Sequence, residues 1–230
     1  MDCKKDVDIL KWVLSILLLC TSLQIQGKEA MSQENVPQEN VPQENVPQEK
    51  VSKESDLKEA IFMESMPTGF IVPPTETQQD SLILEQIKKV GWYNLHIGQE
   101  DNQAAFSFSI GHFQQHNHPE LILVGLPAEV ANQLLNIAVV KIVGAKERLE
   151  PYKKYEDFTE GLAVAFIPVE LDFYRNYLGY ANWYYGDLPK PYPVLQMVWP
   201  DREGYFPWEA EFDTSFKQAQ PLLGFGPNKP

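Results

Sequence analysis

All four histidines, His96, His112, His116 and His118, fall within one 23-residue stretch of a 230-residue chain. Imidazole is the commonest metal ligand and the side chain most ready to move protons near neutral pH. Three of the four have the spacing His-x-x-x-His-x-His in GHFQQHNHPE, directly before the apolar run LILVGL. A histidine zinc site needs three or four ligands converging at about 2.0–2.1 Å. His116 and His118 would share a side if extended, and His112 would join them across a loop. The stretch His116-Asn117-His118-Pro119 reads as irregular structure, without the helical i, i+4 pairing or the His-Glu-x-x-His arrangement of a zinc protease. His112, His116 and His118 are therefore weak metal candidates. A solvated loop cluster and participation in a metal-free site are the competing readings, and the sequence names no cofactor.

Acid–base chemistry has three candidates. Glu120 follows His118 by two residues and reads as a general base or as a polar residue at a strand entrance. Asp201 stands first in DREG, whose Gly204 completes the composition of a type I turn, so it either caps that turn or pairs with His118, which requires the two loops to meet at one end of the sheet. Ser107 and Ser109 lack the Gly-x-Ser-x-Gly context of a nucleophile elbow, and no glycine loop is placed to cradle a phosphate. The aromatic reserve is large: Trp199, Phe206 and Trp208 around Pro207, with Trp183, Tyr184 and Tyr185. Core packing is the default for such rings. The sharper reading is an aromatic-lined cleft in which Trp199, Trp208 and Tyr184 hold a ligand and Gln196 supplies a polar contact.

These residues need elements to position them. Asp80 and Ser81 read as helix caps before LILEQIKKV, whose Leu82, Ile83, Gln86, Ile87 and Val90 mark one stripe that Gly91 ends. WYNLHI and AAFSFSI read as a hairpin around GQEDNQ, with Phe106, Phe108 and Ile110 on one face. ELILVGL is a buried strand, and Pro127 opens a helix through AEVANQLLNIAVVKIV that Gly144 closes. LAVAFIPV and PVLQMVW are two further strands. Between them Leu171, Tyr174, Leu178, Ala181 and Tyr185 recur at helical spacing. The order predicts a single α+β domain over residues 81–230, with a mostly antiparallel sheet of about five strands covered by two or three helices.

The chain before that domain is of another kind. Lys4, Lys5 and Lys11 precede an apolar run from Trp12 to Leu23, too short to span a bilayer comfortably, so residues 1–27 read as a signal peptide, with an uncleaved membrane anchor as the alternative. Both cysteines, Cys3 and Cys20, lie inside it. Four tandem pentads follow at residues 33–52, QENVP-QENVP-QENVP-QEKVS; proline every five residues forbids a continuous helix, and one valine per pentad cannot build a core. Residues 28–80 thus read as a disordered acidic linker, with a short helix from Asp56 to Met66 as its one expected element. The predicted compartment is secreted or periplasmic, or membrane-anchored through the N-terminal segment alone.

The net charge of -13 argues against nucleic acid and against an electrostatic hold on anionic lipid, since Lys and Arg never cluster in sequence beyond pairs such as Lys88-Lys89 and Lys153-Lys154.

Two motifs carry a resemblance. HPELILVGLP with the following QLLN, and PVLQMVWPDREGYFPW with its Trp-Pro-Asp-x-x-Gly-x-Phe-Pro-Trp signature, resemble the bacterial family called domain of unknown function 4262, over roughly residues 85–225. Gly91-Trp92, Gly111 and the QPLLG at 220–224 extend the likeness. It implies a domain boundary and no reaction. It also sorts the histidines: His118 lies on the family's motif, whereas His112 stands where a leucine is expected and Ser109 where a threonine is expected. From all this the expectation is a binding or interaction module for a small molecule or polypeptide, with its cleft near His118 and the Trp199–Trp208 segment. The alternative is a hydrolase-like enzyme using His118 with Glu120 or Asp201.

Overall fold

Helix α1 (Gln78–Val90) starts earlier than its apolar stripe suggests, because the cap is Thr77 and not Asp80. The Thr77 Oγ1 accepts from the Asp80 amide at 3.1 Å, and the Asp80 carboxylate accepts from the Thr77 amide at 2.8 Å, a reciprocal capping box. A further bond from the Glu76 amide holds the Asp80 carboxyl below its ordinary range. Gly91 ends the helix in the left-handed region at φ +97°, as expected. Of the predicted stripe Ile83 and Ile87 are buried, but Leu82 is exposed.

The structure, a computed structural model, describes residues 62–159 and 162–227. The expected export segment, the pentad repeat and most of the helix expected from Asp56 to Met66 lie outside the described residues; the part of that helix that is described, residues 62–66, is not helical. No helix among the described residues is long and apolar enough to cross a membrane.

The strands are β1 (Tyr93–Ile97), β2 (Phe106–Ile110), β3 (Glu120–Val124), β4 (Lys154–Thr159), β5 (Leu162–Pro168) and β6 (Val194–Val198). They form one mixed sheet in the order β1-β2-β3-β6-β5-β4. Only β3 and β6 run parallel; every other neighbouring pair is antiparallel, and the β1–β2 hairpin registers Tyr93 with Ile110. Joining parallel neighbours requires a crossover, and the intervening chain supplies it. The fold is therefore the α+β domain that the sequence predicts, with one strand more than expected. That strand, β4, escapes a period-2 reading because its register shifts between Tyr155 and Thr159, so that Tyr155 and Phe158, three apart, both enter the core.

Helices cover both sheet faces, which is why β2, β3 and β6 are buried at every position. On one face α3 (Ala128–Val139) packs Val130, Leu134, Leu135 and Ala138 against Leu121, Leu123, Leu195 and Met197. On the other, α1 joins three short helices: α2 (His112–His116), α4 (Leu171–Tyr177) and α5 (Gly179–Tyr184). The single helix expected over the Leu171–Tyr185 stripe is thus two, broken at Leu178 and Gly179, though Tyr174, Leu178, Ala181 and Tyr185 are buried as its spacing implies. Pro127 caps α3 from outside, and the helix does not run evenly to Gly144: Val140–Gly144 is a π-helical turn.

Candidate functional site

The histidine segment is organised by Glu120. This side chain is fully buried at the start of β3, and its carboxylate accepts four hydrogen bonds. They come from the Ser109 hydroxyl (2.5 Å), the Tyr185 hydroxyl (2.5 Å) and the amides of Gly111 and Phe113 (2.9 Å each). The two amides belong to the first turn of α2, whose N-cap, Gly111, has no side chain to satisfy them. A buried carboxylate thus takes the role of a cap, and this lets HFQQH close a helical turn that local propensity does not announce. Burial pushes the Glu120 carboxyl up, while its four donors pull the other way. Ser109 also accepts the Leu121 amide at 2.8 Å, so Glu120, Ser109 and Tyr185 form a closed interior network.

Because α2 forms, His112 and His116 stand at helical i, i+4 spacing where a loop was expected between them, whereas Asn117, His118 and Pro119 are irregular as expected. Their rings lie 5.8 Å apart, and Trp92 stacks on His112 at 5.9 Å. His112 is buried, which lowers its pKa to about 3, and burial lowers His116 as well. His116 Nε2 lies over Gly91, so that a Cβ there would come within 3.1 Å of it. His118 is buried beyond the turn. Its Nε2 accepts from the Leu149 amide at 3.1 Å, which leaves the ring proton on Nδ1, donated to the Pro119 carbonyl at 2.8 Å. Burial lowers the His118 pKa to about 4. His96 lies apart on β1, its Nδ1 2.8 Å from the Ser107 hydroxyl. Among the described residues no group of three or more His, Cys, Asp or Glu side chains is arranged to hold a metal ion.

The other expected site residues are not brought to His118. Asp201 accepts from the amides of Glu203 (3.0 Å), Tyr205 (2.9 Å) and Asp213 (2.8 Å), so it caps its own turn and ties a second loop to it. Trp199 is buried on the α3 face and donates its indole N–H to the Val124 carbonyl at 2.9 Å. Tyr184 packs on the opposite face, and its hydroxyl donates to Gln114. Gln196 is also buried; it donates to the Pro221 carbonyl and accepts the Leu223 amide, fastening the C-terminal segment to β6. Trp208 stacks on Phe206 at 5.2 Å, in a third cluster. These aromatic residues are distributed through the core and do not line one cleft.

What does open at the histidine end is a groove of about 410 Å³ between His116, Asn117 and His118 on one side and the chain following α3 on the other. Its far wall is Ile142 and Val143 of the π-helical turn, followed by Lys146, Glu147 and Arg148. Two local features single it out. A π-helical turn is a rare geometry frequently found at functional sites. Asn117 (φ +50°) and Lys146 (φ +52°), two of the three described non-glycine residues at positive φ, face each other across it. The segment from Lys141 to Lys154 holds five basic residues against two acidic ones, a local charge of +3 in a chain of -13. Basic residues do therefore gather beyond the pairs noted above, and KIVGAKERLEPYKK is the signal that was available for it. A second depression, of about 540 Å³, lies beside α4 and the loop from Leu188 to Tyr192. Its hydroxyls are engaged internally: Tyr174 donates to the Tyr192 carbonyl and Tyr192 to Asn182.

Fold and site together define an α+β domain whose Glu120, His118, Asp201 and Gln196 are engaged internally and whose histidine end opens on a basic-rimmed groove. A model of the family described as "Domain of unknown function (DUF4262)" matches residues 86–213, and the chain belongs to that family. No curated protein and no solved structure matches the chain.

Proposed function

We propose that this protein is an exported binding module whose recognition surface is the groove between the His116–His118 segment and the π-helical turn. The observation that carries the reading is the commitment of the three named acid–base candidates, Glu120, His118 and Asp201. Glu120 is saturated by four donors, His118 gives both ring nitrogens to backbone groups, and Asp201 is closed around its own loop. A hydrolase-like enzyme needs at least one such group within reach of substrate and free to exchange a proton. A binding module needs a concave surface on a fixed frame, and a groove of about 410 Å³ falls in the range that holds small ligands. The occupant is a small molecule or the side chain of a polypeptide.

The test is a thermal-shift screen of carboxylates, sugars, nucleotides and short peptides against the natural chain and Val143→Trp. Val143 is exposed on the groove wall, so the indole fills the groove without entering the core. A ligand held in the groove raises the natural protein's midpoint and fails to raise the variant's. Equal shifts in both proteins, or turnover that His118→Gln abolishes, would sink the reading.

A further inference from the structure

We infer that the groove selects a small organic anion, a monocarboxylate carried on a short apolar body; the inference rests on the groove being the binding surface. Three observations combine. The first is the arrangement of cations. Lys146 and Arg148 stand on the rim, and the one carboxylate between them, Glu147, pairs with Lys141 at 3.9 Å. Among the described residues neither Lys146 nor Arg148 has an ion-pair partner. In a strongly acidic chain, two cations without local neutralisation define a place where an anion gains by approaching.

The second is that these cations sit on a backbone tied down on both sides. Ala145 N–H bonds to the Val140 carbonyl (3.1 Å) and Glu147 N–H to the Lys141 carbonyl (3.0 Å), folding the strip back on the π-helical turn. The Leu149 amide is held by His118, and Arg148 Nη1 donates to the Asn117 carbonyl at 3.2 Å. That last bond uses one guanidinium N–H and fixes the group across the groove. A guanidinium carries five donors in a planar fork matched to a carboxylate, so donors remain for a ligand whose binding need not order the arginine first. The His118 ring, without free nitrogens of its own, therefore has a place in the site as the anchor of the strip that carries Arg148.

The third is the opposite character of the floor. Ile142 is buried and its neighbour Val143 on the π-helical turn is exposed, so that Val143 above all presents apolar surface beside the cations. A bare inorganic anion leaves that surface wet, whereas an alkyl or aryl body covers it at roughly 25 cal/mol for each Å² removed from water.

The experiment is a titration of the full chain, followed by the amide resonances of Glu147 and Leu149, with hexanoate, its neutral isostere hexanamide, and inorganic phosphate at low salt. Hexanoate is expected to shift both resonances and to bind at least about tenfold more tightly than either of the others, a difference that shrinks as salt screens the charges. Arg148→Gln and Lys146→Gln should each weaken hexanoate several-fold and leave hexanamide unchanged, and Glu147→Gln should strengthen hexanoate. Equal binding of hexanoate and hexanamide overturns the anion selectivity while leaving the groove as a binding surface. Phosphate binding as tightly as hexanoate overturns the apolar half of the inference. If none of the three moves these resonances and the thermal-shift screen is also silent, the groove reading itself falls.

Discussion

Glu120 brings four donors to two fully buried oxygens, and its replacements separate charge from hydrogen bonding. In Glu120→Gln the remaining oxygen still faces Gly111, Phe113 and Tyr185, and the new amide can donate to Ser109, whose oxygen has a second lone pair. The cost should be about 1–3 kcal/mol. Glu120→Leu strands three buried donors, the Gly111 amide keeping the Tyr185 hydroxyl at 3.2 Å, and should cost more than about 4 kcal/mol, enough to leave much of the chain unfolded. Urea melts that rank the two variants equal would remove the network from this account. The histidines predict a pH dependence. His112 and His118 titrate near 6.5 when unfolded but at about 3 and about 4 in the folded state, so between those values the unfolded chain binds more protons. Their contribution is complete above pH 6.5 and is lost as pH falls through 4 and 3, on the order of 3 kcal/mol for His118 alone. Glu120 acts with the opposite sign, since its raised folded pKa favours the folded state on acidification. Urea stability followed from pH 7 to pH 4 should therefore fall in the natural chain and fall more steeply in Glu120→Gln, which lacks the compensating group. A flat profile in the variant would contradict the histidine assignment.

At the scale of elements the turns decide the geometry, and two glycines show how. Gly125, just past β3, has φ +87°, and a Cβ there would lie 2.0 Å from the Ala219 carbonyl oxygen. Gly204 has a similar φ of +92° and nothing within 4 Å. Gly204→Ala should therefore cost about 1 kcal/mol from backbone strain alone, whereas Gly125→Ala must push away the segment that carries Phe216 and Gln220 and should cost at least about 3 kcal/mol. Thermal melts showing similar losses would mean that the C-terminal segment is not held where Gly125 meets it. The same elements show what could be read from the chain. The β1–β2 hairpin, β3, β5, β6 and the helix stripes were legible because their periodicity is local. The capping box was missed by three residues because Asp80 plays its part from inside the helix and Thr77 from outside. The turn at α2 was illegible for a different reason. It depends on Glu120, itself read as a base or a strand-entrance residue, and on Tyr185, some seventy positions away, whose hydroxyl completes the network. The aromatic residues around Trp199 and Tyr184 were conspicuous as types, but composition does not say which sheet face each will occupy. The groove is legible only in part: the basic run KIVGAKERLEPYKK is visible in the sequence, but not the π-helical turn that places it opposite His116–His118.

For the whole molecule, the question is where the folding unit ends. The family model covers residues 86–213, but the packed structure runs past it at both ends. On the C-terminal side Phe216 is buried against Trp199, and Gln196 and Gln220 bond the returning chain to β6 and its end. On the N-terminal side residues 62–70, which composition assigns to the linker, lie against the aromatic face of α4 and α5. Met63 N–H bonds to the Pro191 carbonyl at 2.8 Å, Phe62 approaches Tyr174 at 6.3 Å, and Phe70 packs on Tyr184 at 5.6 Å and on Tyr185 at 6.0 Å. Tyr185 is also a donor to Glu120, so this segment covers one end of the network that shapes the histidine turn. A chain beginning at Phe62 should therefore be measurably more stable than one beginning at Glu76, which keeps the Thr77 cap but loses Phe62, Met63, Met66 and Phe70. Four partly buried apolar side chains, each contributing up to about 1 kcal/mol net of the ordering cost, place the difference at about 2–4 kcal/mol. Chemical denaturation of the two chains gives that difference directly, and the shorter one should also show a smaller denaturant slope, because it buries less surface to expose. Equal midpoints and slopes would return residues 62–75 to the linker and move the N-terminal limit of the folding unit to α1.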